Sequence, residues 1–280
     1  MKSSHLIFIF ICLIILYSLF KPSYILEEFK SLQADQLLEN GYLIIPNVVS
    51  IEECDDILSI IDKVESSHND CGNIHSNYKR KDMMIPVSLV KEHIKNIYCR
   101  TKDIWKQITP NAILTECSSL ISYPGSYPQI WHTDTSYKKG DANLVSIGVM
   151  LKDTDKKMGP LNVYKKSNKL YKKDIDSLLN KHDVDSSESD ASISDVQQGL
   201  YKQTMEELCI KLNYKKKECT GSKGDLVVWL SSVVHRGGAN NSNTSRPVFY
   251  FSLLSSRGTR PQGSTYSLIK QKKKIHLKQL

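Results

Sequence analysis

Along the chain the apolar positions change period, and each change marks an element. Between Ser50 and Val64 they recur as Cys54, Ile57, Leu58, Ile61 and Val64, the three-and-four spacing of a helix that buries one face. Ser50 and Glu53 stand three apart at its head, where a hydroxyl and a carboxylate can each take the other's backbone N–H. A second helix is predicted over Ser88 to Ile108, with Ile94, Ile97, Tyr98, Ile104 and Trp105 turned inward. Cys54 and Cys99 fall at core spacing on these helices and read as small buried hydrophobes. Upstream, a helix is expected from Tyr24 through Leu38, followed by a strand at Tyr42 to Ile45.

From Ala112 onward the helical period gives way to short apolar strands broken by turns: Ile113 to Cys117, Leu120 to Tyr123, Ile130 to Asp134, Leu144 to Leu151 and Leu161 to Tyr164. Beyond them, the Gly224-Asp225 turn opens an apolar β-branched run that ends at His235, and Arg246 opens another strand, Pro247 to Leu254. Helices followed by many short strands predict a mainly β core with flanking helices, an α+β chain. The stretch 170–219 reads as a variable insert, with 183–195 a mobile Ser- and Asp-rich loop and a short helix near Leu200 to Leu212.

Leu6 to Phe20 is an uncharged apolar run, shorter than the roughly 20 residues of a full bilayer span and without small residues at a plausible cleavage site. It predicts an uncleaved signal anchor over residues 6–22, behind a short tail of residues 1–5. The expectation that follows is a single-pass membrane protein of the endoplasmic reticulum or secretory pathway, its catalytic domain over 23–262 in the lumen and a basic tail over 263–280. Charges around the run hardly discriminate orientation.

The net charge is +8 over 280 residues, and much of it lies in Lys215 to Lys217 and in the tail Lys270 to Lys278. No basic stripe interleaves with aromatics, so nucleic acid is not an expected partner; an anionic membrane surface suits the tail better. The seven cysteines show no zinc-like or redox-motif spacing. Asn240-Asn241-Ser242 and Asn243-Thr244-Ser245 are formal glycosylation sequons in a loop whose composition generates them by chance.

The chemistry centres on Gln129-Ile130-Trp131-His132-Thr133-Asp134. On a strand His132 and Asp134 point to one face, and His235 from the later strand would complete three ligands on one side of a metal, the arrangement of non-haem Fe(II) oxygenases. A lone His-x-Asp is more often a surface pair, so the surroundings carry weight.

Those surroundings resemble the phytanoyl-CoA dioxygenase family from about Gln36 to about Leu254. Glu39 to Ser50 resembles its opening strand and helix entry, Gln129 to Asp134 its metal-binding strand, and Met158-Gly159-Pro160-Leu161 its Gly-Pro-Leu turn. Gly224 to Leu254 resembles its closing strands. The family's Pro-Gly-Ser-His is degraded here to Lys165-Lys166-Ser167-Asn168, which puts the substrate side in doubt. The resemblance implies a double-stranded β-helix of jelly-roll type. It also implies Fe(II) on His132, Asp134 and His235, with 2-oxoglutarate and dioxygen as cosubstrates and ascorbate a candidate addition. Arg246 would bind the far carboxylate of 2-oxoglutarate, with Tyr123 hydrogen-bonded to the cosubstrate, Gln129 at the entrance and Gly237 allowing close backbone approach. Trp131 and Trp229 read as core.

The expected reaction is hydroxylation of an aliphatic carbon in a lipid-like or other small organic substrate. A hydroxylase of protein or peptide side chains in the secretory pathway and a catalytically silent, membrane-anchored binding protein are the alternatives.

Overall fold

The computed structural model describes residues 32–66, 74–75, 79–109, 111–134, 144–170, 205–255 and 275–277. The apolar run and the loop 183–195 lie outside them. Among the described residues no helix is long and apolar enough to cross a membrane.

Three helices come early: α1 over residues 32–40, α2 over Ile51–Ser66 and α3 over Val87–Ile108. The capping pair forms as spaced, with the Glu53 N–H donating to Ser50 Oγ at 3.1 Å and the Ser50 N–H to Glu53 Oε2 at 3.0 Å. Arg100 on α3 then donates to both Glu53 oxygens, tying the two helices at that end. The buried stripe of α3 is Val90, Ile94, Ile97, Thr101, Ile104 and Ile108. Cys99 lies off that stripe and is exposed, contrary to its expected burial, whereas Cys54 is buried.

The strands are β1 (Tyr42–Ile45), β2 (Ile74–His75), β3 (Arg80–Met84), β4 (Ile113–Ser122), β5 (Leu144–Met150), β6 (Leu161–Tyr164), β7 (Lys216–Cys219), β8 (Leu226–Leu230), β9 (His235–Gly237), β10 (Arg246–Leu254) and β11 (Ile275–His276). A helical turn over 205–211, α4, precedes β7. The larger sheet runs β1-β8-β5-β10-β4-β3-β2, with β11 beside the start of β4, and the smaller runs β7-β6-β9. Every pairing within them is antiparallel. Two antiparallel sheets face to face are the jelly-roll arrangement.

Two expected strands prove to be one. Ser118 and Ser119 do not interrupt β4, because β3 and β10 pair with it on either side through that point. The reverse holds at Ile130 to Asp134, which forms a single bridge, His132 to His235, instead of a strand. Gln129 N–H donates to Gly237 O and His132 N–H to His235 O, so the step of three on one chain meets a step of two on the other and the ladder cannot continue in register.

Alternation divides the residues of the larger sheet between two faces. Phe249 and Phe251 of β10, Ile147 of β5 and Val228 of β8 point outward into one core with Ile57 and Ile61 of α2 and Ile97 and Trp105 of α3. Each such side chain contributes about 1.5–3 kcal/mol of burial. The inner face looks toward the smaller sheet. On its β1, β8 and β5 side, Val227 and Met150, with Tyr42, Ile44 and Trp229, pack against Leu161, Val163, Cys219 and Val233. The chain enters β8 through the Gly224-Asp225 turn. Gly224 has φ +93°, and a Cβ there would lie 2.2 Å from Val49 O, so only glycine fits.

Candidate active site

His235 stands at the start of β9, in the smaller sheet, and is 4% exposed. The bridge to His132 sets the two imidazoles side by side, with ring centroids 4.5 Å apart. Asp134 follows two residues on, and its Oδ1 lies 3.3 Å from His235 Nε2 and 3.7 Å from His132 Nε2. Each histidine has its other nitrogen, Nδ1, on a backbone carbonyl two residues before it, Ile130 O at 2.8 Å and Val233 O at 2.9 Å. A carbonyl can only accept, so Nδ1 carries a proton and Nε2 is the nitrogen that faces Asp134, free to take a proton or a metal ion.

Trp229 Nε1 donates to Asp134 Oδ2 at 3.0 Å, which leaves Oδ1 facing the imidazoles. The sequence assigns Trp229 to the core. It is instead half-buried on the inner face and orients the carboxylate, since alternation along β8 turns it inward while Val228 turns outward. Ser167, which survives from the degraded motif, accepts the Val234 N–H at 2.8 Å and fixes the chain just before His235.

Burial alone would raise the Asp134 carboxyl. The attraction and hydrogen bond of His235, the charge of His132 and the Trp229 indole outweigh it and hold the group at about 2. For His235 burial disfavours the cation, and Asp134 reverses the sign, so its basicity rises.

This triad fits a divalent iron. The ligand atoms lie within 4.8 Å of one another, and among the described residues no other group of three or more acidic, histidine or cysteine side chains comes so close. Two ligands at right angles and about 2.1 Å from an ion would be roughly 3 Å apart, near the spacings found here. Two imidazoles with fixed tautomers and one carboxylate are the donor set of the facial triad.

Along the inner face, cross-strand register places Arg80, Ser122 and Arg246 in one row on β3, β4 and β10. Arg246 Nε donates to Met158 O at 3.1 Å and Nη2 to Ser122 Oγ at 3.2 Å. Arg80 donates to the same Ser122 Oγ and to the carbonyls of Tyr127 and Gly238. Both guanidiniums are buried, at 2% and 5% exposure, and no salt bridge to either is found among the described residues. Burial lowers Arg80 to about 10, and burial with the neighbouring Arg80 lowers Arg246 to about 9. Two cations that destabilise each other form a ready site for an anion.

Gly237 lies two residues from His235 on the same face, and a Cβ there would lie 2.7 Å from Gln129 Oε1 and 2.9 Å from Arg80 Nη1. The row of arginines is therefore about one strand repeat from the triad. Gln129 Oε1 accepts the Gly237 N–H at 2.8 Å, which locks the two chains that carry the ligands.

Tyr123 is corrected. It follows Ser122 on the opposite phase, and its hydroxyl donates to Glu65 of α2, on the helix side of the sheet. Trp131 is buried, as expected, in a small second core with Tyr164, Leu208 and Val234. The sequon asparagine Asn240 is fully buried and donates to Ser122 O and Thr244 O, which leaves no room for a glycan.

Comparison with known proteins agrees with this geometry. The model of the phytanoyl-CoA dioxygenase (PhyH) family matches residues 37–248, and the chain belongs to that family. Among solved structures it is similar to the non-haem alpha-ketoglutarate-dependent carbocyclase SnoK of nogalamycin biosynthesis, at 16% identity and TM-score 0.62, over 85% of this chain and 89% of that one. It is also similar to EctD from S. alaskensis with 2-oxoglutarate and 5-hydroxyectoine, at 14% identity and TM-score 0.58, over 82% and 78%. HygX from Streptomyces hygroscopicus, with nickel, 2-oxoglutarate and hygromycin B bound, gives 13% and 0.54 over 80% and 87%. No curated protein sequence matches the chain. The protein is thus a 2-oxoglutarate-dependent oxygenase with Fe and 2-oxoglutarate as its cofactor and cosubstrate.

Proposed function

We propose that the protein hydroxylates an aliphatic carbon of a small organic substrate. The balance is substrate C–H, dioxygen and 2-oxoglutarate giving C–OH, succinate and carbon dioxide. The observation that carries this reading is Asp134, a carboxylate that Trp229 holds beside both imidazoles so that it fills the third protein position on the ion. Fe(II), when bound, supplies the activation of dioxygen.

The chain's own residues do the rest. His235 of the smaller sheet, with His132 and Asp134 from the segment bridged to it, would hold the ion. Arg246 and Arg80 would take the far carboxylate of 2-oxoglutarate, and Gly237, lacking a side chain, lets Gln129 and Arg80 close against it. Trp229 and the two backbone carbonyls keep the ligand atoms aimed, so that little reorganisation accompanies binding.

The test is anaerobic titration of Fe(II) into the protein with 2-oxoglutarate, followed by the visible charge-transfer band, then succinate release across substrate classes. His132→Ala and His235→Ala should each weaken iron binding by about 10- to 100-fold or more. Unchanged iron content in both variants would discard the site. A chlorinated product at high chloride would overturn hydroxylation while leaving the iron centre intact.

We also read residues 6–22 as a signal anchor that places this chemistry at a membrane, with a lipid-like substrate within reach. Carbonate extraction should leave the full chain in the pellet, and a new N-terminus beyond Phe20 would replace the anchor with a cleaved peptide.

A further inference from the structure

The inner face of the larger sheet carries polar groups that neither the iron site nor the arginine row uses. Beyond Arg80 on β3 comes Asp82, beyond Ser122 on β4 come Ser118 and Glu116, and beyond Arg246 on β10 come Tyr250 and Ser252. They form one wall. Tyr250 donates its hydroxyl to Asp82 at 3.2 and 3.3 Å, and Ser252 donates to Glu116 at 2.8 Å. Ser252 Oγ also lies 3.0 Å from Ser146 Oγ, whose cross-strand neighbour is Trp229, the residue on Asp134. The wall therefore reaches the iron ligands at one end and the arginines at the other.

Its groups are half-open. Asp82, Glu116, Leu120, Val248 and Tyr250 are half-buried on this face, while their outward neighbours Met83, Cys117, Ile121, Phe249 and Phe251 are buried. Among the described residues these inner groups stay partly accessible.

The geometry points to a substrate that carries a cationic nitrogen, an ammonium or guanidinium group, seated against Asp82, Tyr250 and Ser118 with Glu116 reinforcing the negative potential. This rests on the oxygenase reading above, because it places the cation in the space beside that iron centre. Ser118 supplies the independent sign of a ligand. It is 1% exposed and faces Tyr250 across the strands, and among the described residues its hydroxyl has no partner in good hydrogen-bond geometry, its interaction with the Tyr250 hydroxyl falling short of it. A buried hydroxyl without a partner is costly, and an N–H from a substrate would satisfy it.

The charge balance agrees. Burial raises Asp82 to about 6, with the Tyr250 hydrogen bond acting against it, and no cation among the described residues compensates this carboxylate. Burial first, and then Asp82 and Glu116, push the Tyr250 phenol well above its ordinary range, so Tyr250 stays a donor. A resident metal is the poorer occupant, since Asp82 and Glu116 join no cluster of three ligands among the described residues.

The test uses the full chain loaded with Zn(II) and 2-oxoglutarate and matched probes on butyl, hexyl, cyclohexylmethyl and benzyl frames, each as amine, alcohol and carboxylic acid. Nα-acetyl-lysine N-methylamide, added to the set, separates a side-chain source from a free amine. Ligand-observed NMR should rank the amine about ten-fold or more above its alcohol on the best frame, the scale of a charge-assisted contact. Asp82→Asn should bring that preference within about two-fold, and Glu116→Gln should reduce it less. Alcohols or acids binding as well as amines in the wild type would overturn the proposal, and so would an amine preference that survives Asp82→Asn. The wild-type ranking needs no variant to fold. The Fe(II)–2-oxoglutarate band is read separately, so a protein that forms it but ignores amines refutes the cation site alone.

Discussion

The two halves of one sheet face are built for opposite tasks. On β1, β8 and β5 the inner positions Tyr42, Ile44, Val227 and Met150 meet Leu161, Val163, Cys219 and Val233 of the smaller sheet, and the sandwich is closed there. On β3, β4 and β10 the inner positions include Arg80, Asp82, Glu116, Ser118, Ser122, Arg246, Tyr250 and Ser252, with Leu120 and Val248 partly exposed among them. Their outer faces are alike, sharing one apolar core with the helices. Folding needs only one closed edge between the sheets, provided the helices stabilise the outer face. The other edge is free to hold charges that an apolar core would exclude.

Paired substitutions sharpen the contrast most. Val227→Asn places an amide among Val163, Cys219 and Val233 with no partner in reach and should cost about 3 kcal/mol of stability. Val248→Asn, at the inner position of β10 between Arg246 and Tyr250, should cost under about 1 kcal/mol, because that side chain is half-exposed among polar groups. Urea unfolding of both variants reads the difference. Equal losses would mean that the open half is packed after all.

The next effect belongs to the arginine row. Arg246→Ala and Arg80→Ala should each raise KM for 2-oxoglutarate by about 30- to 100-fold, the cost of removing one partner of a buried charge pair, with Fe(II) affinity within about two-fold of wild type. Arg246→Lys should recover part of it, since an ammonium keeps the charge without the planar fork. If Arg80→Ala leaves KM unchanged, that residue only ties the Tyr127 and Gly238 carbonyls together.

The difference between the halves also decides what was legible in the sequence. Features set by neighbours in the chain were readable: the capping pair Ser50 and Glu53, the stripe of α2, the two-residue step from His132 to Asp134, and His235 at the end of an apolar run. Arg246 was readable as the first residue of its strand. Arg80 was not, because it opens the hydrophilic segment Arg-Lys-Asp-Met-Met and gains meaning only when register sets it opposite Ser122. Tyr123 was misread for a related reason. Ser122 faces inward in the row with Arg246, so the next residue must face the helices, and that phase depends on pairing rather than on composition. Cys99 shows the same limit on a helix, where a shift of two positions from Ile97 or Thr101 leaves the buried stripe.

Trp229 stands on the border between the halves and supplies the smallest and most discriminating effect. Its ring packs with the closed half, and its indole N–H reaches Asp134 at 3.0 Å. Trp229→Phe keeps most of the apolar ring and removes the donor. If the indole serves only packing, the variant should lose about 1 kcal/mol of stability and nothing else. If it holds Oδ2 so that Oδ1 faces the ion, iron affinity should fall by about ten-fold, the lower range for groups that orient a metal ligand. We expect the second outcome, with the 2-oxoglutarate KM measured at saturating iron unchanged, since the arginine row lies at the other end of the wall. Equilibrium Fe(II) titration beside urea unfolding separates the two. Iron binding equal to wild type would show that Asp134 needs no help from β8 and that the border residue belongs to the core alone.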